Sequence, residues 1–382
     1  MGPLAVVTTH PIQYQVPLFR FLTERGLPLH VFFLSDRGLQ GFDPGFGQNV
    51  AWDVPLLEGY SHEFVPNLRK EARPENVMGL INPRLFTALS RRRFGAVLVH
   101  GFRTISMGGA MFVARARGLP ILYRAESLSF TELSLSKRVA GKGLNALVSA
   151  FLTIGTRNEE FYDKLGVPRP KRFSVPYAVD NDRFQLEAGR MTKGEARRAL
   201  ALPADRTIVL FAGKLIPVKR PDLLLEAFMA ASSPSSQLVF VGDGELRAGL
   251  EGRVEEAGAT NVSFLGFLNQ SQIGTAYKAA DLFALPSDFE PWGLVVNEAM
   301  NFGLPVVISD EVGCAADLVE GRGTGAVFPK GDAEALGDVL RRLLAEPLRL
   351  AGMGEKARSV ISSWSYVEDE QGLRAALSAV GR

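Results

Sequence analysis

Four charged residues have types and spacing that could bind a phosphorylated ligand. Glu290 and Glu298 lie in "DFEPWGLVVNEAM" (288–300), and Lys214 and Lys219 lie in "AGKLIPVKR" (212–220). Carboxylates accept charge-assisted hydrogen bonds from vicinal hydroxyls, whereas ammonium groups neutralise the negative charge of a diphosphate. A site built around a pyrophosphate could therefore use Glu290 for hydroxyls beyond the phosphates and Glu298 for a ribose diol.

Each of these residues also has a simpler interpretation. Lysine-rich loops are usually solvated, Glu290 could stabilise a helix start electrostatically, and Glu298 could be a surface residue. The spacing alone leaves both interpretations open.

The elements that must position these residues are predicted to be buried parallel strands. Apolar runs of strand length recur along the whole chain, at 4–9, 29–35, 96–101, 120–124, 150–156, 207–213, 237–242, 261–266, 281–287 and 305–310. Near-continuous apolar runs separated by helical segments are typical of parallel sheets covered by helices on both faces. Since the order repeats in two halves, we predict an α/β fold of two doubly wound, Rossmann-like domains facing a central cleft.

The segment "PRPKRFSVPYAVDNDRF" (168–184) is rich in proline and polar residues, which indicates a connection between the two domains. We predict an N-terminal domain over 1–178 and a C-terminal domain over 179–363. Ligands of doubly wound sheets bind outside the carboxyl ends of the strands, so the functional loops should collect there.

A helix is predicted from about Gly293 to Phe302, because Gly303 and Pro305 end the pattern. The first N–H groups of a helix have no partner within the helix, and the helix dipole is positive there. Gly293, Leu294 and Val295 would therefore offer an anion site between the two carboxylates.

The composition is that of a globular chain with room for two or three cores: 382 residues, 46% of them hydrophobic. The single cysteine, Cys314, excludes an internal disulfide, which predicts a reducing, cytoplasmic compartment. The first residues lack a signal-peptide pattern, and the longest uncharged apolar run (143–156) is too short to span a bilayer. Basic runs interleaved with aromatic residues are absent, which disfavours nucleic acid as a partner.

Charge is divided unevenly along the chain. Residues 1–180 contain 22 basic and 14 acidic side chains, whereas the remainder contains 21 and 27. This asymmetry suggests a negatively charged acceptor or an anionic membrane surface for the first half, although it is also common in ordinary surfaces. The segment 131–152, with Lys137, Arg138 and Lys142 among leucines, fits either a membrane-surface helix or a helix packed on its own domain.

The second half resembles the retaining glycosyltransferases of family 4, which have the GT-B fold. The matching pieces appear in the family's order over roughly 175–340: "PYAVDNDRF", "FAGKLIPVKRPDLLLEAF", "VGDGEL", "VSFLGFLNQSQI" and "YKAADLFALPSDFEPWGLVVNEAMNFGLPVVISD". The resemblance implies transfer of a sugar from a nucleotide-diphosphate sugar, with UDP favoured, to an acceptor hydroxyl. It also implies a role in bacterial polysaccharide, glycolipid or glycoconjugate synthesis, without cofactor or metal, in the cytoplasm or at the inner face of the membrane.

The resemblance assigns roles to individual residues. It implies that Lys214, Lys219, Glu290 and His100 act in catalysis. The donor would be bound by Gly213, Phe267, Leu268, Gly293, Leu294, Val295 and Glu298, with the turn at Phe267 meeting the base and Glu298 the ribose. One departure is Lys214, because the family usually has arginine there, so the planar bidentate fork is lost while the charge is kept.

The first half matches less well. The family usually has a Gly-Gly loop after the first strand, but this chain has "THPIQYQVPLF", which suggests a distinct group of acceptors. The acceptor-binding residues implied here are His10, Gln13, Tyr14, Arg103, Arg124 and Glu126. The alternatives are a structural loop at His10, a structural histidine at His100 and a local Arg124–Glu126 ion pair. The family's terminal helix corresponds to 364–382, where Trp364 would anchor it on the first domain.

In the family's proposed mechanism the leaving phosphate oxygen helps to deprotonate the acceptor, which attacks from the same face. Two rival functions remain: a sugar phosphorylase with this fold, and a non-catalytic protein that binds sugar nucleotides. A Rossmann dehydrogenase is poorly supported, because "VGDGEL" lacks the third glycine of the dinucleotide-binding motif.

Overall fold

All ten predicted apolar runs contain strands in the computed structural model, which describes residues 2–39, 41–43, 45–69, 72–131, 134–231 and 234–381. In chain order the strands are β1 (Leu4–Thr8), β2 (Leu29–Phe33), β3 (Phe42–Asp43), β4 (Gln48–Asn49), β5 (Ser61–Phe64), β6 (Ala96–His100), β7 (Ile121–Arg124), β8 (Ala150–Thr153), β9 (Arg172–Ser174), β10 (Thr207–Ala212), β11 (Ser236–Val241), β12 (Val262–Phe264), β13 (Leu282–Leu285), β14 (Val306–Ser309) and β15 (Gly325–Phe328).

Helices separate most of these strands. They are α1 (Val16–Glu24), α2 (Pro83–Arg91), α3 (Ile105–Ala116), α4 (Leu135–Leu147), α5 (Thr156–Lys164), α6 (Asn181–Arg190), α7 (Lys193–Ala199), α8 (Pro221–Ala231), α9 (Arg247–Glu256), α10 (Ile273–Ala279), α11 (Leu294–Asn301), α12 (Ala333–Leu344), α13 (Pro347–Ser362) and α14 (Tyr366–Val380). Caps fix several helix starts: the Asp332 carboxylate accepts the Ala335 N–H at 2.8 Å, and Thr192 with Glu195 forms a capping box.

The chain folds into two units, each built on a parallel sheet. The first unit comprises Met1–Gly41, Pro55–Tyr177 and Tyr366–Arg382, and the second comprises Phe42–Val54 and Ala178–Ser365. The sheet of the first unit has the order β5-β2-β1-β6-β7-β8-β9, and that of the second has β12-β11-β10-β13-β14-β15. The α/β fold class with two Rossmann-like units is confirmed.

The predicted domains, 1–178, 179–363 and a helix over 364–382 that returns to the first domain, differ from these units in one segment, apart from shifts of one or two residues at the boundaries. The segment Phe42–Val54 packs with the second unit, although its sequence position is within the first half. It contains the antiparallel pair β3–β4. The sequence did not predict this, because such a short segment has no apolar pattern that would assign it to either sheet.

The core of each unit lies between its sheet and its helices. Val7, Phe32, Val99 and Phe151 are fully buried in the first unit, at the centre of a cluster that β1, β2, β6 and β8 share. In the second unit Phe211, Phe240 and Phe283 are fully buried on three neighbouring strands. Such strands are buried on both faces, which explains why their sequences read as continuous apolar runs.

The C-terminal helix α14 is part of the first unit, where it packs against β8 and β9. A buried ion pair fixes it there, since Arg124 Nη2 lies 3.3 Å from Asp369 Oδ1. The same guanidinium donates to the carbonyls of Val175 and Pro176, both at 2.9 Å. Burial raises the pKa of Asp369 to about 7, and the charge of Arg124 only partly opposes this rise.

In the part of the chain that the structure describes, no helix is long and apolar enough to cross a bilayer. The predicted basic segment 131–152 corresponds largely to α4. The side chains of Lys137 and Arg138 lie outside the described residues, so the choice between membrane contact and internal packing stays a prediction.

We expect Asp369→Leu to destabilise the protein by roughly 3–5 kcal/mol, because it leaves the Arg124 guanidinium buried without its carboxylate. An arginine cannot lose its proton to relieve this cost. The matched control is Arg374→Met on the same helix, which breaks a pair with Glu370 whose arginine is 45% exposed. That variant should cost at most about 1 kcal/mol in urea unfolding. Equal losses in the two variants would contradict the role given to the buried pair.

Candidate functional site

The predicted donor residues of the second unit follow neighbouring strands. Strand β10 pairs with β13, and β13 with β14, all in parallel, so the loops after them leave the same edge of the sheet. Lys214 lies in the loop after β10 and Glu290 in the loop after β13. The Asp288 N–H donates to the Val218 carbonyl at 2.8 Å, which joins these two loops next to Lys219.

The backbone around Glu290 is hydrogen-bonded to the chain that follows β14. The Glu290 N–H donates to Glu311 O at 3.2 Å, and the Gly313 N–H donates to Glu290 O at 2.9 Å. Two residues on, Trp292 O accepts the Cys314 N–H at 3.0 Å. These bonds pair the loop as neighbouring strands pair, so they fix the backbone from which the Glu290 side chain extends.

A pair of tryptophans fixes the base of the same loop. Trp292 is buried and stacks on Trp364, with ring centroids 5.4 Å apart and planes 17° apart. Its indole N–H donates to Asn297 Oδ1 at 2.9 Å, which ties the loop to α11. The Trp364 carbonyl accepts from Asn181 at 3.2 Å. Trp364, predicted to anchor the terminal helix on the first domain, lies in the second unit and supports the candidate site.

Gly293 makes the turn into α11. Its φ of +95° lies in the left-handed region, and a Cβ there would lie 3.0 Å from Val312 Cγ1, so only glycine fits without strain. Leu294 and Val295 open the helix and therefore have no acceptor within it for their N–H groups. Both are partly exposed, which leaves the positive helix end accessible to an anion.

Lys219 and Glu290 form an ion pair beside this helix start. Their side chains are 21% and 15% exposed, so neither is a solvated surface charge. Burial, and then the charge of Lys214, lower the pKa of Lys219 from 10.5 to about 8. Each charge is buried enough to need a partner. Each side chain is also accessible enough for a ligand to replace that partner.

Glu298 is buried within α11, which excludes the interpretation as a surface residue. The Tyr277 hydroxyl donates to Glu298 Oε2 at 2.7 Å. Burial raises the pKa of Glu298 to about 7, while the Tyr277 hydroxyl and the charge of Arg183 oppose this rise. A carboxylate held in this way can accept hydrogen bonds from a ligand diol without reorganising.

Glycine turns follow the ends of β10, β11 and β12. The Gly213 N–H donates to Val241 O at 2.9 Å, and the Gly242 N–H donates to Gly266 O at 2.8 Å. A Cβ on Gly242 would lie 1.8 Å from Gly213 O, so the turns can approach only without side chains. The last of these turns presents Phe267 and Leu268, both half-buried.

Lys214 and Phe267 are both contacted by the segment Phe42–Val54. The Lys214 ammonium lies 2.8 Å and 3.0 Å from the two carboxylate oxygens of Asp43. The Phe267 ring centroid lies 4.9 Å from that of Phe46 and 6.0 Å from that of Trp52. Lys214 is therefore paired, and the solvated-loop interpretation does not describe it.

His100 ends β6 in the first unit, and its Nε2 faces inward. This atom is buried without a hydrogen-bond partner among the described residues. His100 also lines a cavity of about 20 Å³ together with Arg124 and Asp369. Burial, and then the charge of Arg124, lower the pKa of His100 to about 3. The imidazole is therefore neutral at physiological pH and cannot act as a cationic acid.

The predicted acceptor residues Arg124 and Glu126 do not pair with each other as the alternative interpretation proposed. Arg124 is buried and pairs with Asp369, so its guanidinium holds the fold and is not presented to an acceptor. Glu126 is exposed and accepts a hydrogen bond from the Tyr177 hydroxyl. The Tyr177 ring also contacts that of Tyr14, with centroids 6.3 Å apart.

The loop after β1 places His10, Gln13 and Tyr14 in half-buried positions of the first unit, whereas Arg103 is exposed. Burial, and then the charge of Arg37, lower the pKa of His10 to about 4. Its Nδ1 lies 2.8 Å from the Thr9 hydroxyl. His10 is thus a neutral ring in a formed loop, which suits hydrogen bonding better than charge pairing.

The sequence reasoning missed several residues of the candidate site. Asp43 lies 171 residues from Lys214, so no local pattern could connect them. Tyr277 lies on α10 and Glu298 on α11, with β13 between them, so their contact could not be predicted from spacing on one helix. Within the described ranges the structure shows no cluster of three or more His, Cys, Asp or Glu that could hold a metal ion. That the reaction needs no metal stays a prediction.

Comparison with known proteins gives one family. The family model described as "Glycosyl transferases group 1" matches residues 192–360. The GDP-mannose-dependent alpha-mannosyltransferase of Mycobacterium tuberculosis is 32% identical over 340 residues, covering 84% of this chain and 85% of that protein. The D-inositol 3-phosphate glycosyltransferase of Segniliparus rotundus is 27% identical over 379 residues, covering 94% and 82%.

Among solved structures, Anabaena HepE in complex with UDP-glucose has a TM-score of 0.74 to this chain at 19% identity. The alignment covers 99% of this chain and 100% of HepE. Similarity at this identity shows that the two proteins share the fold.

We expect Gly293→Ala to destabilise the second unit by roughly 1–3 kcal/mol, because alanine is strained at a φ of +95° and its Cβ crowds Val312. The control is Gly249→Ala on α9, where a Cβ would meet no heavy atom within 4 Å among the described residues. That substitution should be neutral or stabilise by up to about 1 kcal/mol. Both can be measured by urea unfolding, and a neutral Gly293→Ala would show that the turn can relax.

Proposed function

Because the chain belongs to the glycosyl transferases group 1, we propose that it is a retaining, family 4 enzyme that moves a hexose from a nucleotide-diphosphate sugar to an acceptor hydroxyl. That it is a glycosyltransferase with the GT-B fold follows from the family and from the structural neighbours. The retention, the nucleotide and the residue roles are the parts proposed here.

One observation carries the proposal: Lys219 and Glu290 are paired beside the helix start at Gly293. A diphosphate at the helix N–H groups would attract the Lys219 ammonium away from the carboxylate. Glu290 would then be free to accept hydrogen bonds from hydroxyls of the transferred sugar. The same site therefore holds a cation for the leaving group and an anion for the sugar.

Glu298 is proposed to bind the ribose. It lies on α11, beyond the residues whose N–H groups would meet the phosphates. Burial raises the pKa of Glu298 to about 7, and Tyr277 and Arg183 partly oppose this rise in favour of the ionised form, which is the form that accepts two hydroxyl hydrogen bonds. Phe267 would meet the base and Lys214 would add charge at the phosphates.

In the proposed reaction the bond between the anomeric carbon and the phosphate oxygen breaks, and a bond from that carbon to the acceptor oxygen forms on the same face. The acceptor proton passes to the departing phosphate oxygen. Lys214, Lys219 and the α11 N-terminus stabilise the charge that grows on the diphosphate. The neutral His100 would contribute by shape or by a neutral hydrogen bond.

The acceptor is proposed to be a sugar, a lipid-linked sugar or another hydroxyl compound bound by the first unit, where Arg103 is exposed and His10, Gln13 and Tyr14 are half-buried. Such acceptors occur in polysaccharide, glycolipid and glycoconjugate synthesis. A cytoplasmic location, with contact at the inner face of a membrane, stays a prediction.

The nucleotide is tested by titrating UDP, GDP, ADP, CDP and dTDP calorimetrically into the protein. UDP is expected, and GDP is the main alternative because a relative is named for GDP-mannose. In Lys214→Ala/Lys219→Ala the affinity should fall roughly 100-fold, since two charge-assisted contacts are lost. The control Lys193→Ala removes an exposed charge that pairs with Asp281 and should change nothing. If no diphosphate binds to the protein or to its Asp43→Asn variant, the proposal fails, and inorganic phosphate would be titrated to test a phosphorylase.

Glu290 and Glu298 should separate catalysis from binding. In Glu290→Gln, release of diphosphate from the selected sugar nucleotide, with water as acceptor, should slow about 10²–10³-fold. The diphosphate should bind as tightly as it does to the wild type or more tightly, because Lys219 loses its internal anion. In Glu298→Gln the Kd should rise about tenfold, as expected for one charge-assisted hydrogen bond, and the saturated rate should change little. Equal losses of both quantities in both variants would refute this division of roles.

A further inference from the structure

Residues Phe42–Val54, called the hairpin segment here, contact two side chains that the donor is proposed to contact, Lys214 and Phe267. We propose that the hairpin segment is a built-in competitor of the donor: Asp43 takes the place of a phosphate on Lys214, and Phe46 and Trp52 cover the ring of Phe267. This inference rests on the proposed function, because the donor roles of Lys214 and Phe267 are part of it.

The anionic half of the competitor is Asp43. Its carboxylate binds Lys214 through both oxygens, at 2.8 Å and 3.0 Å. The N–H groups of Gly45 and Phe46 donate to the same carboxylate at 2.8 Å and 3.2 Å. Burial alone would raise the pKa of Asp43, but Lys214 and the two N–H groups lower it. Asp43 is therefore an ionised group that backbone N–H donors and a lysine surround, as they would surround a phosphate oxygen.

The aromatic half covers the proposed base site. The Phe46 and Phe267 centroids are 4.9 Å apart with planes at 72°, and Trp52 lies 6.0 Å from Phe267 at 60°. These separations are those of rings in direct contact, so a base cannot stack between them while the segment stays in place. Phe46 also places its ring 4.9 Å from the Lys214 ammonium, which joins the aromatic half to the anionic half.

The end of the hairpin segment is fastened to the loop that follows Phe267. The Ser271 N–H donates to Asp53 Oδ1 at 3.1 Å, and the Ser271 hydroxyl bonds to the same carboxylate. Asn269 Nδ2 donates to the Ala51 carbonyl at 2.7 Å. Since all these contacts are polar and exposed, they are individually weak and can break without unfolding the unit.

The function of such a segment is to set the donor affinity and to shield an empty site. A ligand that binds only the open form has an apparent Kd equal to its intrinsic Kd divided by the fraction of molecules that are open. A diphosphate carries more negative charge than one aspartate, so donor at sufficient concentration displaces Asp43. While no donor is bound, the hairpin segment neutralises Lys214 and covers the Phe267 ring.

Asp43→Asn keeps the size of the side chain but removes its charge. It should bind both pyrophosphate and the selected nucleoside diphosphate about three to ten times more tightly than the wild type, as expected for loss of one half-exposed ion pair. Trp52→Ala should tighten binding of the nucleoside diphosphate more than binding of pyrophosphate, because only the nucleoside diphosphate carries a base that needs the Phe267 ring uncovered. The matched control is Asp338→Asn on α12, which makes the same charge change at a side chain that is 65% exposed.

The outcomes separate this proposal from the proposed function. If the wild type binds a diphosphate and Asp43→Asn binds it equally or less tightly, the competitor is refuted and the donor site stands. If only the Asp43→Asn protein binds, both are supported. If neither binds any diphosphate, the proposed function fails and the competitor with it.

A second measurement uses the wild type alone and does not depend on how a variant folds. Hydrogen exchange at the N–H groups of Gly45, Phe46 and Ser271 should accelerate when the nucleoside diphosphate saturates the protein, because the segment is released. Slower exchange would mean that the segment closes over the ligand, and this would overturn the proposal.

Discussion

The structure around the candidate site depends on one electrostatic constraint: a diphosphate site needs clustered cations, and cations in a partly buried loop need anions when the ligand is absent. The fold meets this need from its own side chains. Glu290 neutralises Lys219, and Asp43 neutralises Lys214. These internal anions give each lysine a partner when no ligand is bound, and the same anions compete with a ligand for the lysines.

The rigidity of the site comes from backbone contacts rather than from the charges. The loop at Glu290 is bonded to the chain after β14, and Trp292 is stacked on Trp364. Gly293 turns the chain into α11 at a backbone angle that other residues rarely adopt. The charged side chains can therefore exchange partners while the loop that carries them stays in place, which is what preorganised stabilisation of a leaving group needs.

Much of the fold could be predicted because buried parallel strands have a strong apolar signal. The strands that sequence reasoning missed have weaker patterns. Strands β5 ("SHEF") and β9 ("RFS") are polar because they lie at the two edges of their sheet. Strand β15 begins at Gly325, where a Cβ would lie 1.8 Å from Val306 O. The pair β3–β4 has only two residues in each strand.

The candidate site was predictable to the extent that its residues lie in local motifs. Lys219, Glu290 and Glu298 follow strands or lie on a helix with clear signals, and the structure gathers them in the second unit. Asp43, Phe46 and Trp52 could not be found, because a contact between distant segments leaves no periodic trace in the sequence. Arg124 was interpreted as a ligand residue because it ends a strand, but its true partner, Asp369, lies 245 residues away.

The pairing of Arg124 with Asp369 has a consequence for how the chain is made. The first unit begins with Met1–Gly41 but needs Tyr366–Arg382, which are synthesised after all residues of the second unit, for its completion. The second unit, by contrast, has all of its residues once Ser365 has emerged. Domains generally fold as units during synthesis, so the order of completion here is reversed relative to the order of translation. Until Asp369 arrives, the nascent first unit carries a buried arginine without a counter-charge, and it should be the unit that depends on chaperones.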